Sequence, residues 1–142
     1  MRQRLVQIAL LVVASVVPAL AHHPFAAEYD WKKPVTITGT VTKFDWSNPH
    51  ALLVVKGTDE SGTDAEWRVE LGSPGRLTSF GWSTHQLKTG DRVSVDGWLA
   101  KSGRKQLSAK SVTIPGGREL AAGSSFFEQG KSPAITTRAS AK

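Results

Sequence analysis

Apolar residues along this chain fall into one long run near the start and then into short alternating stretches. The run, Leu5 to Val17, is 13 residues interrupted only by Gln7 and Ser15. Val35-Thr36-Ile37-Thr38-Gly39-Thr40-Val41-Thr42 then alternates apolar and hydroxylated side chains, the pattern of a half-buried strand. Gly39 inside it marks a bend or bulge. Phe44 and Trp46 fall on the opposite parity, and a bulge would bring both halves into one long curved strand. Ser47-Asn48-Pro49 predicts a turn, and the nearly all-apolar stretch from His50 to Gly57 predicts a buried second strand.

The hairpin loop Thr58–Gly62 leads to a third strand, Ala65 to Leu71. There Trp67, Val69 and Leu71 face one way and Glu66, Arg68 and Glu70 the other. Gly72-Ser73-Pro74-Gly75 breaks the pattern, and Arg76 to Lys88 predicts a short helix, a turn at Gly81-Trp82 and a second helical turn. Val93, Val95, Gly97 and Leu99 define a fourth strand, and Lys105 to Ile114 a fifth, closed by Pro115-Gly116-Gly117. Three strands, a helical insertion and two further strands is the order of a small OB-like five-stranded Greek-key barrel. The expected class is all-β.

The early run is too short for a membrane span, which needs about 20 apolar residues. Arg2 and Arg4 precede it, Pro18 ends it, and Ala19-Leu20-Ala21 fits the small-x-small pattern of signal cleavage. The expected organisation is therefore a signal peptide over 1–21, an OB-like domain over 22–122 and a disordered tail over 123–142. The tail is rich in Ser, Thr, Ala, Gly and Lys. This predicts a periplasmic or secreted protein with no stable membrane insertion. It has no Cys, so an exported fold of this size must rest on its core alone.

Cleavage after Ala21 leaves 16 basic against 12 acidic residues, a mild net +4 with no basic run. Export and this weak charge argue against nucleic acid as a partner. No Gly-x-Ser-x-Gly elbow and no phosphate-cradling glycine loop followed by Lys-Ser or Lys-Thr is present, and no acid–base pair stands out, so no catalytic constellation is identifiable.

Only four histidines occur: His22, His23, His50 and His85. Cleavage would make His22 the terminal residue, offering a metal both its α-amine and its imidazole. In an OB-fold the loop joining the first two strands borders the ligand face, so a terminal segment folding back there would bring His22, His23 and His50 together. Such a nitrogen-rich set suits Cu(II), with Zn(II) second, Glu28, Asp30 or Asp45 then supplying an oxygen. Pro24 has no amide N–H, so chelation by successive backbone amides stops at His23. An arrangement of terminal amine, His22 ring and a distant ring would resemble the histidine brace of copper proteins. Phe44, Trp46, Asn48 and Trp98 are the candidate ligand face, where aromatic rings could stack on a sugar, a quinone or a peptide side chain.

His22-His23-Pro24-Phe25, Glu28-Tyr29-Asp30, Trp46-Ser47-Asn48-Pro49-His50, Trp67-Arg68-Val69-Glu70, Gly81-Trp82 and Gly90-Asp91 give the chain a further likeness. It resembles an uncharacterised family of small exported bacterial proteins, a domain of unknown function, over about residues 22–122. The resemblance implies export and a β-barrel type of fold, and no reaction. The expected function is a small exported binding or accessory module for a periplasmic protein or small molecule. Its face would be the N-terminal segment with residues 44–50. The alternative is a copper- or zinc-binding protein with a terminal histidine site.

Overall fold

A computed structural model describes residues 25–123. The expected signal peptide, His22, His23 and nearly all of the expected tail lie outside the described residues. Within them the chain is mostly β. A four-residue helix α1 (Phe25–Glu28) runs directly into β1 (Tyr29–Asp45), followed by β2 (Leu52–Asp59) and β3 (Asp64–Glu70). After helix α2 (Pro74–Ser79) come β4 (Arg92–Ala100), β5 (Gln106–Thr113) and a short β6 (Glu119–Ala121). Among the described residues, no helix is long and apolar enough to cross a membrane.

Antiparallel pairing runs in the order β3-β2-β1-β4-β5-β6, and a short parallel pairing of β3 with β5 joins the sheet back on itself. The five longer strands thus form a ring, β1-β2-β3-β5-β4. Its interior holds the residues that alternation points inward, Ile37, Val41, Trp67, Val69 and Val95, with Leu53, Val55, Leu107 and Val112, all essentially inaccessible. Trp67 also donates its indole N–H to the Gly57 carbonyl at 3.0 Å, so the largest core side chain leaves no polar atom unsatisfied.

The expected bulge in β1 is present, as a register shift between Val41 and Lys43 against β2. It brings Phe44 back onto the core, where its ring meets Trp46 edge-on at 5.7 Å and Trp82 at 6.0 Å. Gly39 carries no bulge. It pairs in register with Gly57, and a Cβ on either would stand 2.6 Å from the other's Cα. The two glycines let β1 and β2 approach so closely that no side chain fits between them.

Three elements differ from the sequence expectation. β1 begins at Tyr29, six residues before the alternation starts. Its register against β4 shifts between Tyr29 and Pro34, and the residues between are mostly exposed, which erases the period-two signal. The helix after β3 starts at Pro74, with Ser73 capping it and Pro74 in the first turn. The Ser-Pro pair is a helix start here, not a breaker. It ends at Ser79, before Gly81 at φ 86°, and the expected second helical turn is a run of non-helical turns. Finally, Gly116 and Gly117, at φ 90° and 81°, reverse the chain into a sixth strand that pairs with Ser111–Thr113. β6 is only three residues long, too short for periodicity to reveal.

Candidate functional site

β3 ends on Glu70, whose parity points it away from the barrel interior. Three side chains from distant parts of the chain converge on it or on its partner. Tyr29, the first residue of β1, donates its hydroxyl hydrogen to Glu70 Oε2 at 2.9 Å. Gln106, the first residue of β5, donates from Nε2 to the same Tyr29 oxygen at 2.8 Å. His50, in the turn between β1 and β2, places Nδ1 3.2 Å from Glu70 Oε1. Both members of that pair are about a fifth to a quarter exposed.

Backbone pairing fixes this convergence. Ala51 donates to the Gly72 carbonyl at 3.0 Å and accepts from the Leu71 amide at 2.9 Å, clamping the residue after His50 to the end of β3. The β3–β5 register sets Arg68 opposite Gln106 and Glu70 opposite Ser108. Tyr29 lies opposite Ala100 at the end of β4. The Tyr29 side chain therefore spans the first residue of β5 to reach β3.

Above this network lies a second apolar cluster, outside the barrel. Phe25 and Tyr29 are nearly inaccessible and pack with Ala100 and the half-buried Trp98. The Phe25 ring stands 5.4 Å from Tyr29 and meets Trp98 edge-on at 5.4 Å. Lys101 ties the helix down with its amide on the Glu28 carbonyl at 2.8 Å and Nζ on the Ala26 carbonyl at 2.6 Å. Burial first, and then the neighbouring Glu70 carboxylate, push the Tyr29 phenol well above its ordinary pKa. Tyr29 is therefore a neutral hydrogen-bond donor at neutral pH. Ser108, next to both Glu70 and Trp98 in register, is wholly buried, and its Oγ has no hydrogen-bond partner among the described residues.

The residues singled out from sequence divide among these places. His50 is in the Glu70 network. Trp98 covers it with Phe25, whereas Phe44 and Trp46 pack against the main core beside Trp82. Asn48 is exposed in the turn before His50, and His85 is exposed in the turns after α2. His22 and His23 precede the described residues. Among the described residues, no group of three or more His, Asp or Glu could hold a metal; His50 and Glu70 supply two.

Glu70, Tyr29 and Gln106 carry the network and were not given roles by the sequence. Glu70 has the parity of a solvated strand face, and its partner Tyr29 lies 41 residues away. The one available signal was the tyrosine of Glu28-Tyr29-Asp30 ahead of the first alternating strand, which says nothing about where its hydroxyl goes.

No curated protein and no solved structure matches the chain. A family model does, over residues 9–109, and that span includes the whole Glu70 network. The chain belongs to the family of unknown function DUF6152.

Proposed function

We propose that this protein is a small exported binding module built on an OB-type barrel. Its ligand site is the corner where the N-terminal segment, the β1–β2 turn and the ends of β3 and β4 meet. The barrel type is supported by the ring order β1-β2-β3-β5-β4, the parallel β3–β5 seam and the helix between β3 and β4. In that architecture the β1–β2 and β4–β5 connections flank the ligand face. Here the first carries His50 and the second carries Lys101, which holds α1.

The observation that carries the proposal is the convergence on Glu70. One carboxylate receives Tyr29 from the N-terminal segment on one oxygen and faces His50 from the first turn with the other. Buried polar networks of this kind are costly unless every member is satisfied, and they hold side chains in fixed geometry. The unpartnered Ser108 hydroxyl beneath the same corner adds a polar atom in want of a partner. Phe44 and Trp46 border the β1–β2 turn from the core side. A small molecule or ion, not a nucleic acid, suits the mild charge.

Native mass spectrometry of the processed chain recovered from the periplasm tests this. A non-covalent adduct is expected, lost in Glu70→Gln and kept in His85→Ala. A wild-type chain that carries no adduct would overturn the proposal. A second reading, a copper- or zinc-binding protein, is favoured by the placement of His50 against Glu70.

A further inference from the structure

We propose that the turn over residues 30–33 docks the protein reversibly onto an anionic bilayer surface, Trp31 entering the headgroup layer and Lys32 and Lys33 meeting lipid phosphates. The site is separate from the Glu70 corner, and it stands whatever ligand that corner takes.

The first support is how the turn is built. Tyr29 pairs with Ala100 and Pro34 with Trp98, so four residues of β1 face a single residue, Leu99, of β4. The four are pushed out of the ladder, and β2 does not pair with them, since its register against β1 begins at Ile37. The turn is nonetheless fixed at both ends. Asp30 Oδ1 accepts the Lys32 amide at 3.0 Å, Pro34 follows with its restricted φ, and Tyr29 in front is buried and hydrogen-bonded.

The second support is what the turn carries. Among the described residues the exposed large apolar side chains are Trp31, at 59%, and Phe80, at 36%. Phe80 lies under the Arg76 guanidinium at the end of α2, whereas Trp31 stands on the projecting turn. Lys32 Nζ is 5.4 Å from the Trp31 ring centre, so ring and ammonium are presented together. Lys33 is exposed and has no ion-pair partner among the described residues.

The β4–β5 hairpin adds to this charge. It starts beside the turn, since Ala100 pairs with Tyr29 and the Lys101 amide donates to the Glu28 carbonyl at 2.8 Å. Its Lys101, Arg104 and Lys105 are all exposed. Residues 28–33 and 101–105 thus hold five basic side chains against two acidic ones, Glu28 and Asp30.

The third support is the match to a bilayer over a protein. A tryptophan ring favours the membrane interface, where its body is in apolar surroundings and its N–H is wet. Each lysine close to an anionic leaflet strengthens binding about fivefold. Protein interfaces are depleted in lysine and need a broad matched face around each anchor. One ring on a convex turn, flanked by flexible ammonium groups, suits a soft charged surface instead.

The test is co-sedimentation of the exported, processed chain with vesicles of phosphatidylcholine alone and of equimolar phosphatidylcholine and phosphatidylglycerol. Binding is expected on the mixed vesicles, with little on phosphatidylcholine alone, and it should fall as salt rises. Trp31→Ala should weaken it on the order of tenfold, and Lys33→Ala about fivefold. Lys43→Ala removes the same charge from the far end of β1 and should weaken it much less. Vesicles with brominated acyl chains should quench the wild-type tryptophan fluorescence. Trp31→Phe should abolish most of that quenching, which locates the contact independently of affinity. Thermal melts should be the same for every variant, since each side chain is exposed. No association with the mixed vesicles overturns the proposal and leaves the turn to an acidic protein partner. Association that Trp31→Ala and Lys33→Ala leave undiminished also overturns it, because the contact then lies elsewhere on the chain.

Discussion

The barrel interior and the small cluster outside it, over the ends of β3 and β4, are held together by different means. Inside, packing is apolar and closed, with Trp67 at the centre and its one polar atom bonded to Gly57. Outside, among the described residues, Phe25, Tyr29, Ala100 and Trp98 make a much smaller apolar patch. They are stitched down by hydrogen bonds to Glu70, Gln106 and Lys101. The interior is apolar and closed to solvent and presents a ligand with no polar group. The outer cluster places polar groups from three distant segments at one point, and it is where binding chemistry can be built.

The largest expected effect separates the two regions directly. Trp67→Ala empties a fully buried site and should cost about 3–5 kcal/mol, lowering the global denaturant midpoint. Gly39→Ala should come next, near the upper end of the roughly 1–3 kcal/mol typical of overpacking or beyond it. The new methyl would meet the Lys56 carbonyl and the Gly57 Cα, and neither can rotate away. Chemical denaturation measures both.

Tyr29→Phe should be milder and local. It removes a hydrogen bond to a charged carboxylate, about 1.5–3 kcal/mol at most, while the ring keeps its packing. Amide exchange should quicken over residues 25–33 and stay slow over 53–55 and 67–69. Loss of protection across the whole barrel would show that the two regions are one cooperative unit, and the contrast drawn above would fall.

The smallest expected effect lies away from both. Lys88 donates to Asp91 from its ammonium and from its backbone amide, which holds the Asp91 carboxyl below its ordinary pKa. A carboxyl with a lowered folded-state pKa contributes stability above its unfolded value, about 3.9, and loses it as pH falls through the folded value. Wild type and Asp91→Asn should therefore differ slightly at neutral pH, and the difference should begin to shrink below about pH 3.9 and vanish only below the lower folded-state value in an acid-unfolding series. The Lys88 ammonium is largely exposed to solvent, so the Tyr29 network should dominate over this one.

Much of the interior was legible along the chain, because alternation reports which side of a strand meets the core. Ile37, Val41, Trp67, Val69, Val95 and the slip that re-aims Phe44 all follow from parity. The start of β1 was not legible, since residues 30–33 bulge out of register and carry no period. β6 was too short to show one. Glu70 was visible as an outward residue, but nothing local tells a solvated glutamate from one that meets a tyrosine on another strand. That meeting depends on β5 lying against β3, a pairing between segments separated by α2 and β4. His50 was singled out for its chemistry and its turn; its partner was set by that same distant pairing.

The β3–β5 seam has a consequence for how the molecule meets its own copies. A strand that ends a sheet displays unpaired amides and carbonyls, an invitation to further chains. Here β3 and β5 spend those groups on each other between Arg68–Glu70 and Gln106–Ser108, and β6 covers the far part of β5 at Ser111–Thr113. What remains of β3 outside the seam is Asp64 to Trp67, where the exposed Asp64 and Glu66 oppose the approach of a like-charged second copy. In a chain with no disulfide to hold it shut, three residue pairs of parallel ladder leave that much less open strand edge on which a second copy could template.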